Sequence, residues 1–160
     1  MDLSSNIFKY KGMEKQYFAI LLLLMPFSIK AQIQKPVIWS YAAKKISQTE
    51  VAIYLKATID DGWHIYSSNQ KGEGPVKTSF RFVSSKDFSL IGRVIEPKPV
   101  TKYEETFEMD ISYFEKSVVF QQKVKLNRPI TVVKGSLEFM ACTDKQCLPA
   151  ETINFSIPIK

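Results

Sequence analysis

The chain has two cysteines, Cys142 and Cys147, five positions apart between two runs that read as β-strands. If a tight hairpin joins those strands, the thiols meet. Such a pair either staples the tip or exchanges its disulfide with other thiols. As a staple it is weak. A ring of six residues gains about 2 kcal/mol from chain entropy, less than one joining distant strands, and the turn already holds the two positions together. As an exchanging pair it is well placed, because strand tips are accessible and small rings can be reducible. The charges beside it are balanced: Lys145 favours a thiolate and Asp144 opposes one. On these residues alone both readings stay open.

Other chemistries are poorly supplied. Two cysteines and the lone His64 fall short of the four ligands of a structural zinc centre. A Cys-x-x-Cys pair of the thioredoxin type is missing. A Cys–His hydrolase needs an orienting group and an oxyanion hole, which no motif here indicates. His64, between Trp63 and Ile65, reads as a strand-edge histidine rather than a catalytic base.

The elements that must position the cysteines alternate with period 2. Val51, Ile53, Leu55, Ala57 and Ile59 fall on one side of a run that Asp60-Asp61-Gly62 ends with turn chemistry. Trp63–Tyr66 resumes an extended segment. Further strands are expected over residues 37–41, 78–83, 88–95, 117–125, 130–139 and 152–159, with a loop over 68–75. No segment of the exported part supports a long amphipathic helix. Seven to nine short strands with turn signals about every ten residues predict an all-β fold, an antiparallel sandwich of immunoglobulin-like architecture. Both cysteines lie near one end of the chain, so the inter-sheet disulfide of antibody domains is excluded.

Residues 96–109 break the pattern. Pro97 and Pro99 open the stretch, acidic and aromatic residues follow, and alternation returns only at Asp110. It therefore reads as an irregular loop of the kind that often carries function. Its Tyr103 and Phe107 either cover something or dock on the sandwich edge.

The N-terminus speaks for export. Lys9, Lys11 and Lys15 precede an apolar run of 11 residues, Tyr17 to Phe27, and Ala31 offers a small residue for cleavage. The run is shorter than the roughly 20 residues a membrane-spanning helix needs. The expected division is a signal peptide over 1–31 and one domain over 32–160, with Met13 as an alternative start. Residues 1–31 hold four lysines against Asp2 and Glu14, so +4 of the net +6 stays with the domain. Its basic residues are scattered, unlike a nucleic-acid footprint. An exported chain meets an oxidising compartment in which disulfides persist.

The hairpin Cys142-Thr-Asp-Lys-Gln-Cys147-Leu-Pro149 and the strand after it resemble the N-terminal domain of the thiol–disulfide interchange protein DsbD. Three upstream segments match in order: Asp61-Gly62-Trp63-His64-Ile65-Tyr66, then Tyr103-Glu104-Glu105-Thr106-Phe107 as the cap loop, then Ser112-Tyr113-Phe114. The cysteine hairpin is the specific part. The resemblance implies an immunoglobulin-like periplasmic domain that receives electrons from a thioredoxin-like or membrane thiol reductase partner and hands them to oxidised exported oxidoreductases, without a cofactor. It implies that Cys147 forms mixed disulfides and Cys142 resolves them. It implies a cap in which Phe107 and Tyr103 shield the pair and Glu104 and Glu105 keep the thiols protonated. Three departures stand out. The cysteines are separated by four residues, one fewer than in the best-known members; Glu108 replaces a glycine often found after the cap aromatic; and the chain ends at Lys160, so a module of this length must borrow its electron source.

Overall fold

A computed structural model describes residues 34–72 and 74–160, of which Lys35–Lys160 form one unit. The expected signal peptide, its cleavage after Ala31 and the alternative start at Met13 lie outside the described residues. Those described residues contain eleven strands and no helix: β1 (Val37–Lys45), β2 (Glu50–Ile59), β3 (His64–Tyr66), β4 (Ser79–Phe82), β5 (Phe88–Ile95), β6 (Val100–Glu104), β7 (Met109–Glu115), β8 (Ser117–Leu126), β9 (Thr131–Phe139), β10 (Ala141–Cys142) and β11 (Glu151–Ile159). The expected all-β, immunoglobulin-like sandwich is the fold observed.

The strands form three antiparallel sheets, ordered β1-β2-β8-β5, β11-β9-β4 and β10-β3-β7-β6. The first two make the sandwich. Each sends every second residue inward: Val51, Ile53, Leu55, Ala57 and Ile59 from β2, and Val118, Phe120, Val124 and Leu126 from β8. Val133, Leu137, Phe139, Phe155, Ile157 and Ile159 come from the facing sheet. Aromatic contacts cross between them, with Trp39 on Phe80 and Phe139, Tyr41 on Phe155, and Phe80 on Phe120. Burial of this kind contributes about 1.5–3 kcal/mol per large side chain. Gly135 lies between β4 and β11, where a Cβ would run into the Arg81 carbonyl oxygen and the Phe155 ring, so a side chain is excluded by contact. Gln122 is the one polar side chain that β8 turns inward, and its amide donates to the Ile91 carbonyl at 3.0 Å, where β5 bulges.

The third sheet carries the cysteines. The turn Asp60–Trp63 feeds β3, with Gly62 at φ 79° and the Trp63 N–H donating to the Asp60 carbonyl at 3.1 Å. β7 passes directly into β8 through Lys116, at φ 61°, whose carbonyl accepts the Ile59 N–H at 2.7 Å. One chain thus serves both the third sheet and the sandwich, and Phe114 packs edge-on against Phe120 across that junction.

Residues 96–109 differ from the expected irregular loop. Val100–Glu104 is a strand paired in register with Met109–Asp110 and onward to Tyr113, and only Glu105–Glu108 form the turn. β6 is the outer strand of its sheet, and four of its five residues are exposed. With neither face buried, it shows no apolar alternation. The strand count also exceeds the expected seven to nine, because β6, β7 and β10 of this third sheet fall outside the ranges that alternation picked out.

Candidate functional site

Cys142 and Cys147 are joined by a disulfide, with Cα atoms 4.0 Å apart. The turn between them is closed by its own hydrogen bonds. The Thr143 N–H donates to the Gln146 carbonyl at 2.8 Å, and the Leu148 N–H to the Ala141 carbonyl at 2.9 Å. The Thr143 hydroxyl oxygen accepts from the N–H groups of Lys145 (3.2 Å) and Gln146 (3.1 Å), a side-chain turn typical of Thr. The two sulfurs have different environments. Cys142 is 1% exposed and packs with Tyr66 and Ile111 in a small apolar cluster apart from the main core, whereas Cys147 is exposed.

The third sheet supplies one wall of a cleft of about 330 Å³ that runs past Cys147. Its register explains the lining. Cys142 faces His64, His64 faces Glu115, Tyr66 faces Tyr113, and Lys102 faces Ile111. Directly opposed residues project to the same face of a sheet, so this face collects His64, Tyr66, Tyr113, Glu115, Lys102 and Glu104. The cap turn adds Thr106 and Phe107, and the hairpin adds Thr143–Cys147.

Electrostatics in the cleft are mixed. The Lys102 ammonium lies 3.1 Å from the Glu104 carboxylate, an exposed pair of small energetic weight. Burial lowers the His64 pKa below its ordinary 6.5, against the raising influence of Asp144, Glu115 and Glu104. Burial raises Tyr66, with Glu104 adding to it. The His64 Nε2 and the Tyr66 hydroxyl are 3.2 Å apart, and the imidazole also packs on Tyr113.

Of the residues singled out in the sequence, Cys147, Phe107 and Glu104 line the cleft together and Cys142 lies beneath it. Tyr103 and Glu105 do not line it; Tyr103 is 58% exposed. His64 is not at a strand edge, since β3 runs between β10 and β7. The departure at Glu108 has a backbone reason: its φ of 53° is the left-handed region that glycine fills without cost.

Two anchors gave no sequence signal. Glu96, just before the cap arm, accepts hydrogen bonds from the Ser67 hydroxyl, the Ser68 N–H and hydroxyl (2.8 Å each) and the Asn69 side-chain amide (2.8 Å). Gln70 extends the β3 ladder with its side chain, accepting from the Ser112 N–H at 2.8 Å and donating to the Asp110 carbonyl at 3.2 Å. Loop 67–70 thereby holds both limbs of the cap arm. A paired Ser-Ser-Asn and a distant Glu are too common in sequence to announce such a contact.

An immunoglobulin-like sandwich with a half-exposed disulfide at the tip of an accessory sheet, beside a two-stranded cap arm, defines the class. Residues 30–158 match the family described as thiol:disulfide interchange protein DsbD, N-terminal, and the chain belongs to that family. Among solved structures, the reduced DsbD N-terminal domain of Neisseria meningitidis superposes with a TM-score of 0.52 at 15% identity, covering 76% of this chain and 84% of that one. The N-terminal periplasmic domain of ScsB from Proteus mirabilis gives 0.56 at 21%, covering 79% of this chain and 47% of that one. The complex between the DsbD N-terminal and PilB N-terminal domains of Neisseria meningitidis gives 0.51 at 13%, covering 78% and 87%. No relative was found among curated protein sequences.

Proposed function

We propose that the chain is an exported thiol–disulfide exchange module working through Cys142 and Cys147. The observation that carries this reading is the asymmetry of the pair: Cys147 is open to a partner, while Cys142 is buried against it. A thiolate of Cys147 attacks a partner disulfide and forms a mixed disulfide; Cys142 then attacks Cys147 Sγ and releases the partner as a dithiol. Family membership supports the same chemistry. The self-closed turn supports it too, because a hairpin held by its own hydrogen bonds keeps its shape when the sulfur bridge opens.

Phe107, with Glu104 beside it, forms the movable cover over Cys147. Tyr103, further out and exposed, meets the docking partner together with Glu105. Partners are thioredoxin-like oxidoreductases, in line with the domain complex found among the structural relatives, and a membrane thiol reductase is the electron source. Residues 1–31 direct the chain to the periplasm, where the ScsB domain is also placed.

Thiol titration across a glutathione series tests the reading. An exchanging pair equilibrates in the range of periplasmic carriers, whereas a purely structural bond resists reduction below about −300 mV, and that second result would make the chain a binding module with a stapled hairpin. Trapping with Cys142→Ala, which strands partners as mixed disulfides on Cys147, identifies donor and acceptor.

A further inference from the structure

Cys142 poses a proton problem. At 1% exposure in the disulfide state Cys142 is closed off from bulk solvent, and a buried site disfavours a thiolate. The resolving attack nevertheless requires that thiolate. A protein group must take the proton.

The ladder between β10 and β3 sets His64 directly opposite Cys142, a placement that brings Cβ atoms to about 4.5–5.5 Å on a common face. His64 also lines the cleft that contains Cys147, and it is the chain's one histidine. The charged and titratable groups around it are Tyr66 on its own strand, Tyr113 and Glu115 on β7, Lys102 and Glu104 on β6, and Asp144 in the hairpin. Both tyrosines are pushed above their usual range and keep their protons, and the Lys102–Glu104 bond holds Lys102 protonated. Carboxylates are much weaker bases than imidazole. His64, kept neutral by its partial burial, is the group here with both an available lone pair and suitable basicity at neutral pH. In the tautomer whose Nε2–H donates to the Tyr66 hydroxyl oxygen, 3.2 Å away, Nδ1 is free to accept.

We propose that His64 accepts the Cys142 proton in the resolving step, an inference that rests on the exchange reading above. Once Cys147 Sγ is bonded to a partner sulfur, the Cys142 S–H proton passes to the imidazole. The thiolate electron pair then attacks Cys147 Sγ. The Cys142–Cys147 bond forms, the Cys147–partner bond breaks, and the partner sulfur leaves as a thiolate that takes a proton from the imidazolium or from water. The pair is oxidised by two electrons and the partner disulfide is reduced to two thiols. Glu104, Glu115 and Asp144 favour the transient imidazolium, and Lys102 opposes it.

The test uses the reduced full chain and one equivalent of an aromatic disulfide whose released thiolate absorbs visible light. Attack by Cys147 releases one thiolate and resolution by Cys142 releases the second. In the unmutated chain the second release slows as pH falls from about 7 to about 5, through the lowered imidazole pKa. His64→Gln slows that release about 100-fold at neutral pH, the usual scale of general-base catalysis, and replaces the imidazole titration with the uninterrupted rise with pH of a thiol that ionises directly to solvent, while the first release changes less than about threefold. Equal second-release rates and profiles in the two proteins overturn the proposal. A second readout needs no variant: proton NMR of the single imidazole in oxidised and reduced chains. A pKa that differs between the two states supports coupling to the thiol, and an identical pKa overturns it. If the unmutated chain releases neither thiolate, the exchange reading fails along with this one, an outcome distinct from a normal first release with an insensitive second.

Discussion

The sandwich and the cysteine sheet use the same period-2 geometry for opposite ends. In β8 every second residue enters a core shared by two sheets, and the result is Val118, Phe120, Val124 and Leu126 stacked without charge. In β3, β6 and β7 the corresponding face gathers His64, Tyr66, Tyr113, Lys102, Glu104 and Glu115 beside a cleft. The first arrangement stabilises by removing apolar area from water. The second contributes little burial and concentrates titratable groups around two sulfur atoms. Stability and chemistry are thus held on separate faces, since the far side of the cysteine sheet sends Ile65, Phe114 and Ala141 into the sandwich core while its cleft side carries the titratable groups, and each should respond to substitution without much effect on the other.

The largest test of that separation is Phe120→Ala. Removing a fully buried aromatic at the centre of the sandwich should lower the unfolding free energy by about 3–5 kcal/mol, measured by urea denaturation. Thiol-exchange rates of the folded protein should stay unchanged; a parallel loss of exchange would show that the two regions are one cooperative unit. Reducing the disulfide should cost about 2 kcal/mol of stability and leave the β3–β10 amides protected from hydrogen exchange, since the turn has its own bonds. Phe107→Ala should speed alkylation of the reduced Cys147 by about tenfold, roughly 1.4 kcal/mol of lost shielding, with the urea midpoint unmoved. Glu108→Gly relieves a left-handed backbone cost of about 1–2 kcal/mol at an entropic cost of about 0.5–1, so a gain of about 0.5–1 kcal/mol is expected in the same denaturation assay.

The smallest effect is pH-linked. The His64 pKa is lower in the folded chain than its ordinary 6.5, so between those values the unfolded chain binds more protons and stability rises with pH. That increment is complete above about pH 6.5 and is lost as pH falls through the folded pKa. His64→Gln should flatten this part of the stability profile, measured by urea midpoints at half-unit steps.

Much of this organisation was legible in the residues. The Gly62 turn and the core side of β2 followed from turn chemistry and alternation, because burial on one face writes itself into the pattern. β6 did not, since an exposed outer strand has no apolar side to reveal. β10, with two residues, is too short for any period. His64 looked ordinary between Trp63 and Ile65; its place opposite Cys142 depends on a pairing between residues far apart in the chain. The Glu96 and Gln70 anchors are likewise contacts across 27 or more positions.

The passage through Lys116 has a mechanical consequence. β7 becomes β8 without a loop, and the joining carbonyl is tied to the end of β2, so the strand beneath the cleft is braced against the densest part of the molecule. On the exchange reading proposed above, a visiting protein gains little by tilting the whole platform. On that reading the part that gives way is the four-residue bend at 105–108, so a slender protrusion bearing its sulfur at the apex passes more readily than a broad face.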